Sequence, residues 1–477
     1  MKILYAAAEA APFLKTGGLA DISGSLPITL KEMGNDIRVV MPLYSNIPKE
    51  YKDSMEKIIE FNVKLGWRNQ LAEVYSLKYR DLLYYFIGND YYFNRAKPYG
   101  EYDDGERFTF FSKSIALFPR ILSFKPDILH SNDWHTGLVS LYIKDFARGD
   151  PFYKEIKTVY TIHNLKYQGI FPYSLFEEVT GLSSEYFHDD GLKFNDDMNF
   201  MKAGIVYSDH FTTVSNSYAE EIKYSFFGEG LEGIVRKKEN KLTGIVNGID
   251  YNIYNPNTDK NIFKNYDVNT IEDKSLNKIN LQEKYDLPIN TDIPLVSMVT
   301  RLVAMKGIDL VTHIMEELLQ EDIQFILLGI GDRKYEDAFN YFQSKYPDKL
   351  AARIYFNEKE AHMIYAASDI FLMPSMAEPC GISQLISLKY GTIPIVREVG
   401  GLKDTIISWN QYTKKGNGFS FANFNAHELL FSIKKALDLY QDKDKWKTIM
   451  IEAMKSKNDW EESSKKYIKL YEDLLEN

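Results

Sequence analysis

Cysteine is almost absent from this 477-residue chain, where Cys380 stands alone. An internal disulfide is therefore excluded, and no Cys/His cluster has the spacing of a structural zinc site. No apolar run reaches the roughly 18 residues that span a bilayer. Met1-Lys2 leads directly into the strand-like Ile3-Leu4-Tyr5-Ala6-Ala7, without a signal-peptide pattern. The expectation is a cytoplasmic protein with no membrane partner. Excess positive charge is also lacking: the formal net charge is −10, which argues against nucleic acid as the main partner. An anionic ligand must then be gripped locally. The glycines of Lys15-Thr16-Gly17-Gly18, after the first expected strand, do not follow the Gly-x-Gly-x-x-Gly dinucleotide pattern, and the Gly-Lys-Ser/Thr phosphate loop is missing, which weakens hydride transfer and ATP hydrolysis as readings. The absence of low-complexity tracts, internal repeats and heptads removes solenoids and coiled coils.

What is present is an alternation of short apolar or β-branched runs with helical patterns, the signature of parallel sheets built from βαβ units. Strands are expected over Lys2 to Ala8, Asp36 to Tyr44, Leu82 to Gly88, Asp127 to Asn132, Thr158 to His163, His210 to Ser215 and Thr243 to Val246. A second set is expected over Leu295 to Thr300, Gln324 to Gly329, Ala352 to Phe356, Ile370 to Pro374 and Ile393 to Arg397. The length favours two domains. Turn formers in Asn247-Gly248-Ile249-Asp250 and Asn255 to Lys260 put the boundary near residue 250. The last segment repeats Trp460, Tyr467, Leu470, Tyr471 and Leu474 at helical spacing, so one face must dock.

Five polar motifs close these expected strands. Lys15-Thr16-Gly17-Gly18-Leu19-Ala20-Asp21 opens a helix that continues through Ile22, Leu26 and Leu30. Glycines admit a ligand to the backbone, a helix start offers free N–H groups, and Lys15 adds a compact positive charge, all of which suit a phosphate. The alternative is a glycine turn with a solvated lysine. Arg301 ends a strand and Lys306-Gly307 precedes a helix; two cations there can share the charge of a diphosphate and favour its departure, or can be plain surface cations. In Ser375 to Gln384, Glu378 can accept hydrogen bonds from sugar hydroxyls or satisfy a helix dipole, and Gly381 can expose backbone N–H groups. Cys380 has no neighbouring base and reads as a small packed residue. Asp133, in His130-Ser131-Asn132-Asp133-Trp134-His135, and His163, in Tyr160 to Asn164, are the remaining polar candidates, with buried structural histidines as the alternative reading. All five motifs sit at carboxyl ends of strands, where open α/β sheets bind ligands.

These residues resemble bacterial glycogen synthases and plant starch synthases, retaining glycosyltransferases of the GT-B fold and family GT5. The resemblance runs through the Lys15 motif, His163-Asn164, Asn247-Gly248-Ile249-Asp250, Arg301 to Gly307, Glu378 to Gln384 and Gly400-Gly401-Leu402, nearly the whole chain. It implies two Rossmann-like α/β domains facing across a deep cleft: residues 1–248 on the acceptor side, 249–455 binding the nucleotide sugar, and a helix over 456–477 returning to the first domain. It implies transfer of glucose from ADP-glucose to the non-reducing end of an α-1,4-glucan such as glycogen, with retention, no cofactor and no metal. The only Asp-x-Asp here, Asp442-Lys443-Asp444, lies in a charged helical tail.

Carried over by position, the resemblance makes Arg301 and Lys306 the diphosphate grip, with Lys15 and Gly18 approaching the donor from the other domain. Glu378 with the backbone amides of Cys380 and Gly381 becomes the glucose clamp. His163 lies beside the anomeric carbon and Asp133 near the donor sugar. Asn164, Asn247, Phe356 and an aromatic at Tyr99 join the substrate contacts. Met305 stands where the family usually has glutamine, Phe356 where tyrosine is common near the adenine, and Ile386 where a broader set of retaining transferases has a second glutamate. A non-catalytic binder of glucan or nucleotide sugar is the competing reading, opposed by the intact polar set. A phosphorylase would need a lysine holding pyridoxal phosphate, and no motif nominates one.

Overall fold

The computed structural model describes residues 1–476. The chain forms two units, one of residues 1–247 with the terminal helix from Trp460, the other Gly248–Asp459. The divisions fall at 247/248 and 459/460, where 248/249 and 455/456 were expected. After the helix Lys443–Lys455 the chain stays tied to the second unit, because Tyr251 Oη donates to the Ser456 carbonyl at 3.3 Å and Ile249 N–H to the Asn458 carbonyl at 2.8 Å.

The first unit carries the strands β1 (Lys2–Ala6), β2 (Asp36–Pro42), β3 (Glu56–Leu65), β4 (Arg68–Tyr79), β5 (Leu82–Gly88), β6 (Ile128–Asn132) and β7 (Lys157–Ile162). Three short strands, β8 (Ile170–Phe171), β9 (Lys193–Phe194) and β10 (Asp197–Asn199), form a small sheet of their own, and β11 (His210–Thr213) and β12 (Leu242–Gly244) complete the main one. Its order is β12-β11-β7-β6-β1-β2-β5-β4-β3, parallel from β12 to β5. In the central strand β1, Ile3 to Ala6 are fully buried, as a parallel strand covered on both faces requires. The chain leaves β1 for β2 on one side and returns as β6 on the other, so the topological switch lies between β1 and β6.

The edge hairpin β3–β4 is antiparallel and was not expected from the sequence. An edge hairpin buries only part of its surface, so Glu, Lys, Asn and Gln interrupt the apolar signal. The terminal helix Trp460–Glu476 buries Trp460, Tyr467 and Tyr471 in this unit's core, with Leu470 and Leu474 packed against it. Tyr471 Oη pairs with His130 Nδ1 at 2.7 Å.

The second unit is a six-stranded, wholly parallel sheet ordered β15-β14-β13-β16-β17-β18. Its strands are β13 (Leu295–Val299), β14 (Gln324–Leu328), β15 (Leu350–Arg353), β16 (Ile370–Met373), β17 (Ile393–Arg397) and β18 (Phe419–Phe421). Strand β15 corrects the expected span Ala352 to Phe356. Pairing runs from Phe325↔Leu350 to Leu328↔Arg353, and β14 ends there, so Tyr355 and Phe356 fall in an exposed loop. The short β18 was missed. The switch point of this sheet lies between β13 and β16.

Candidate active site

In the first unit the polar motifs gather at the carboxyl ends of β1, β6, β7 and β12. The loop after β1 folds back on the helix Gly18–Glu32, with Ala11 N–H donating to the Ala20 carbonyl at 2.9 Å. Ile22, Leu26 and Leu30 bury one face of that helix, and Gly18 stands at its exposed start. Lys15 is exposed on this loop, its Nζ 2.8 Å from Asp21 Oδ1. Glu9, which sequence reasoning passed over, is buried and accepts both the Thr16 N–H at 2.8 Å and the Thr16 hydroxyl at 2.5 Å. Burial raises the Glu9 carboxyl above its usual range, and the Thr16 donors oppose that rise. Tyr99 is joined to the same loop, its hydroxyl hydrogen-bonded to Thr16 Oγ1 and its ring 4.8 Å from that of His135.

Asp133 follows β6 directly, in a conformation with φ 55° that residues other than glycine rarely adopt. Its Oδ1 accepts the backbone N–H of His163, the residue after β7, at 2.8 Å. Burial pushes the Asp133 carboxyl up to about 7, against the pull of the His163 and Asn164 N–H groups. Burial drives the His163 imidazole the other way, down to about 3. His163 Nε2 lies 2.8 Å from Asn132 Oδ1. Asn164 Oδ1 accepts the Lys166 N–H at 3.0 Å, which shapes the turn after His163. Asn247, after β12, is buried, and its Oδ1 has no protein partner. His130 is structural: its two ring nitrogens pair with Thr161 and Tyr471.

In the second unit Lys306 and Glu378 meet at the switch point. Lys306 Nζ lies 2.5 Å from Glu378 Oε2, which also accepts the Ser375 hydroxyl at 3.0 Å. The two loops are zipped by their backbones, with Met376 N–H donating to the Met305 carbonyl at 2.8 Å. Gly307 makes this possible: its φ is 72°, and a Cβ there would stand 2.1 Å from the Pro374 carbonyl oxygen. Gly400 and Gly401, after β17, press against the same loop, where added Cβ atoms would meet the Glu378 carbonyl at 2.1 Å and the Cys380 carbonyl at 2.2 Å. Arg397 donates to the Met376 carbonyl at 2.6 Å and buttresses the loop from below. Arg301 is exposed two residues beyond β13. Cys380 is buried, Gly381 has φ 75°, and Gln384 Nε2 donates to the Cys380 carbonyl at 3.0 Å. Phe356 stands apart from this cluster, exposed beyond the edge strand β15. Among the described residues no three His, Cys, Asp or Glu side chains converge as a metal site would need, and no helix is long and apolar enough to cross a membrane.

The family model for the starch synthase catalytic domain matches residues 2–237, and that for glycosyl transferases group 1 matches residues 280–453. A glycogen synthase of Finegoldia magna is 54% identical over 476 residues, covering 100% of both chains. The chain belongs to the glycogen and starch synthase family. A second family member, the glycogen synthase of Clostridium novyi, is 51% identical over 100% of this chain and 99% of its own. The solved catalytic domain of starch synthase IV from Arabidopsis thaliana, bound to ADP and acarbose, superposes with a TM-score of 0.93 at 29% identity, covering 100% of this chain and 99% of that one. Sucrose-phosphate synthase from Thermosynechococcus elongatus shares the fold at a TM-score of 0.62 and 15% identity, over 99% and 98% of the two chains. The chain is thus a glycosyltransferase built from two Rossmann-like units, as GT-B enzymes are.

Proposed function

We propose that this glycosyltransferase moves glucose from ADP-glucose to the non-reducing end of an α-1,4-glucan, in the cytoplasm, with the anomeric configuration retained. The observation that carries the reading is the Lys306–Glu378 pair at the switch point of the second sheet, a cation and a carboxylate held side by side where such sheets bind nucleotides. Membership of the glycogen and starch synthase family supports the sugar, and the ADP and acarbose bound to the starch synthase IV domain support the nucleotide and the glucan.

In this reading Arg301 and Lys306 hold the diphosphate and disperse the charge that grows on it as the glycosidic bond breaks. Glu378, with the Cys380 and Gly381 amides, fixes the glucose hydroxyls. Lys15 and Gly18 serve the donor phosphate, and Asn164, Asn247, Phe356 and Tyr99 complete the substrate contacts. The C1–oxygen bond breaks with its electrons passing to the diphosphate. The acceptor 4-hydroxyl attacks C1 from the same face, and its proton goes to the departing phosphate oxygen. Asp133 and His163 position the sugar and steady the positive charge at C1, so no protein nucleophile is required. The test is product analysis: chains grown from a maltooligosaccharide primer should carry only new α-1,4 linkages by NMR. β-Linked glucose in the product would overturn retention.

A further inference from the structure

Asn132, the last residue of β6, is fully buried and makes hydrogen bonds in three directions. Its Nδ2 lies 3.0 Å from the Ala6 carbonyl of β1, which can only accept, so the amide nitrogen must face that way. Its Oδ1 is thereby turned toward two groups, the Tyr5 hydroxyl at 3.2 Å and His163 Nε2 at 2.8 Å. An amide oxygen only accepts, so the hydrogen of that second contact has to sit on Nε2. The lone pair of a neutral His163 ring is then on Nδ1, an atom buried without a protein partner.

We infer that Asn132 is a positioning residue, which holds His163 as the neutral tautomer with Nε2–H bound and the lone pair on the buried Nδ1. The inference rests on the proposed reading only for what the tautomer does. A neutral ring beside the anomeric carbon does not repel the positive charge that forms there, whereas an imidazolium would. Of the neighbouring groups only Asp133 favours the charged ring, and only once it ionises above about pH 7. Burial holds the structural His130 on β6 down to about 3, Tyr5 on β1 is a buried phenol, and Asp133 spends its Oδ1 on the backbone N–H of His163. Burial, which holds the ring near pKa 3, favours the neutral form. An amide suits this position because a carboxylate in its place would accept the same Nε2–H and stabilise the doubly protonated ring.

The test uses the full chain labelled with ¹⁵N at its eight histidines and long-range ¹H–¹⁵N correlation, with His163 assigned by its absence in His163→Gln. The wild-type His163 should show a protonated Nε2, an unprotonated Nδ1 and no titration between pH 5.5 and 8.5. A protonated Nδ1, or titration of the ring in that window, overturns the proposal without any substrate. In Asn132→Asp the ring should become doubly protonated near neutral pH. The kcat there should fall at least tenfold, recover as pH rises, and leave the KM for the sugar nucleotide within about threefold. An unchanged pH profile in that variant contradicts the proposal, while a correct wild-type tautomer in a chain without transferase activity would sink the functional reading alone.

Discussion

Lys306 Nζ and Glu378 Oε2 lie 2.5 Å apart, joining the loop after β13 to the loop after β16. In the proposed reading the cation for the departing diphosphate is thus held ready by the carboxylate that would bind the sugar hydroxyls. Loss of such preorganised charge commonly lowers turnover by about two to three powers of ten. Lys306→Ala should show a fall of that order in kcat, with Arg301→Ala in the same direction. An unchanged kcat in Lys306→Ala would remove Lys306 from the site.

Asp133 supplies a pH prediction with opposite signs for rate and stability. Its carboxyl is pushed up to about 7 in the folded chain, while an unfolded aspartate titrates near pH 4. Between those values the folded state keeps a proton that the unfolded state releases, so the contribution of Asp133 to stability falls as pH rises through that window. In the proposed reading the rate moves the other way, since there the Asp133 anion steadies positive charge and it forms only above the raised value. Initial rates should therefore climb between about pH 6 and 8, and Asp133→Asn should lose that limb. A variant that kept the limb would assign it to another group.

Gly307→Ala tests the backbone zipper. The left-handed φ costs about 1 to 3 kcal/mol for a residue other than glycine. A methyl group 2.1 Å from the Pro374 carbonyl adds a clash, which must push the Lys306 loop away from Glu378. Chemical denaturation should reveal a lowered midpoint, and turnover should fall with it. Wild-type values for both would show that the loop does not depend on this contact.

Lys15→Ala separates donor use from glucan binding. Lys15 lies 2.8 Å from Asp21, at the start of the helix that opens the first motif. Losing one charge-assisted contact worth about 1.5 kcal/mol should raise the KM for ADP-glucose about tenfold. Glucan affinity, read by gel retardation in glycogen, should stay close to wild type. Equal damage to both would assign the lysine to the loop's own structure.

The placement of the candidate site residues was legible where a polar residue directly follows a buried parallel strand. Asp133 and His163 cap β6 and β7, and the Lys306 and Glu378 loops flank the switch between β13 and β16, because strand ends announce themselves in the apolar pattern. The supports were less legible. Glu9 holds the Lys15 loop, and its signal was a single acid in Ala6-Ala7-Ala8-Glu9-Ala10. Arg397 and Asn132 act through contacts between segments far apart in sequence, which no local spacing encodes. The β3–β4 hairpin escaped for a related reason, since a sheet edge asks little of its sequence beyond alternation. The end of β15 was misplaced because Tyr355 and Phe356 extend the apolar run past the point where β14 can pair with it.

The most direct measurement is the initial rate of chain growth with ADP-glucose and with UDP-glucose, at one fixed concentration of maltooligosaccharide primer. Growth with ADP-glucose is predicted, faster than with UDP-glucose and abolished or nearly so in Lys306→Ala. No growth with either donor, or growth with UDP-glucose alone, would contradict the proposed donor and the part given to Lys306.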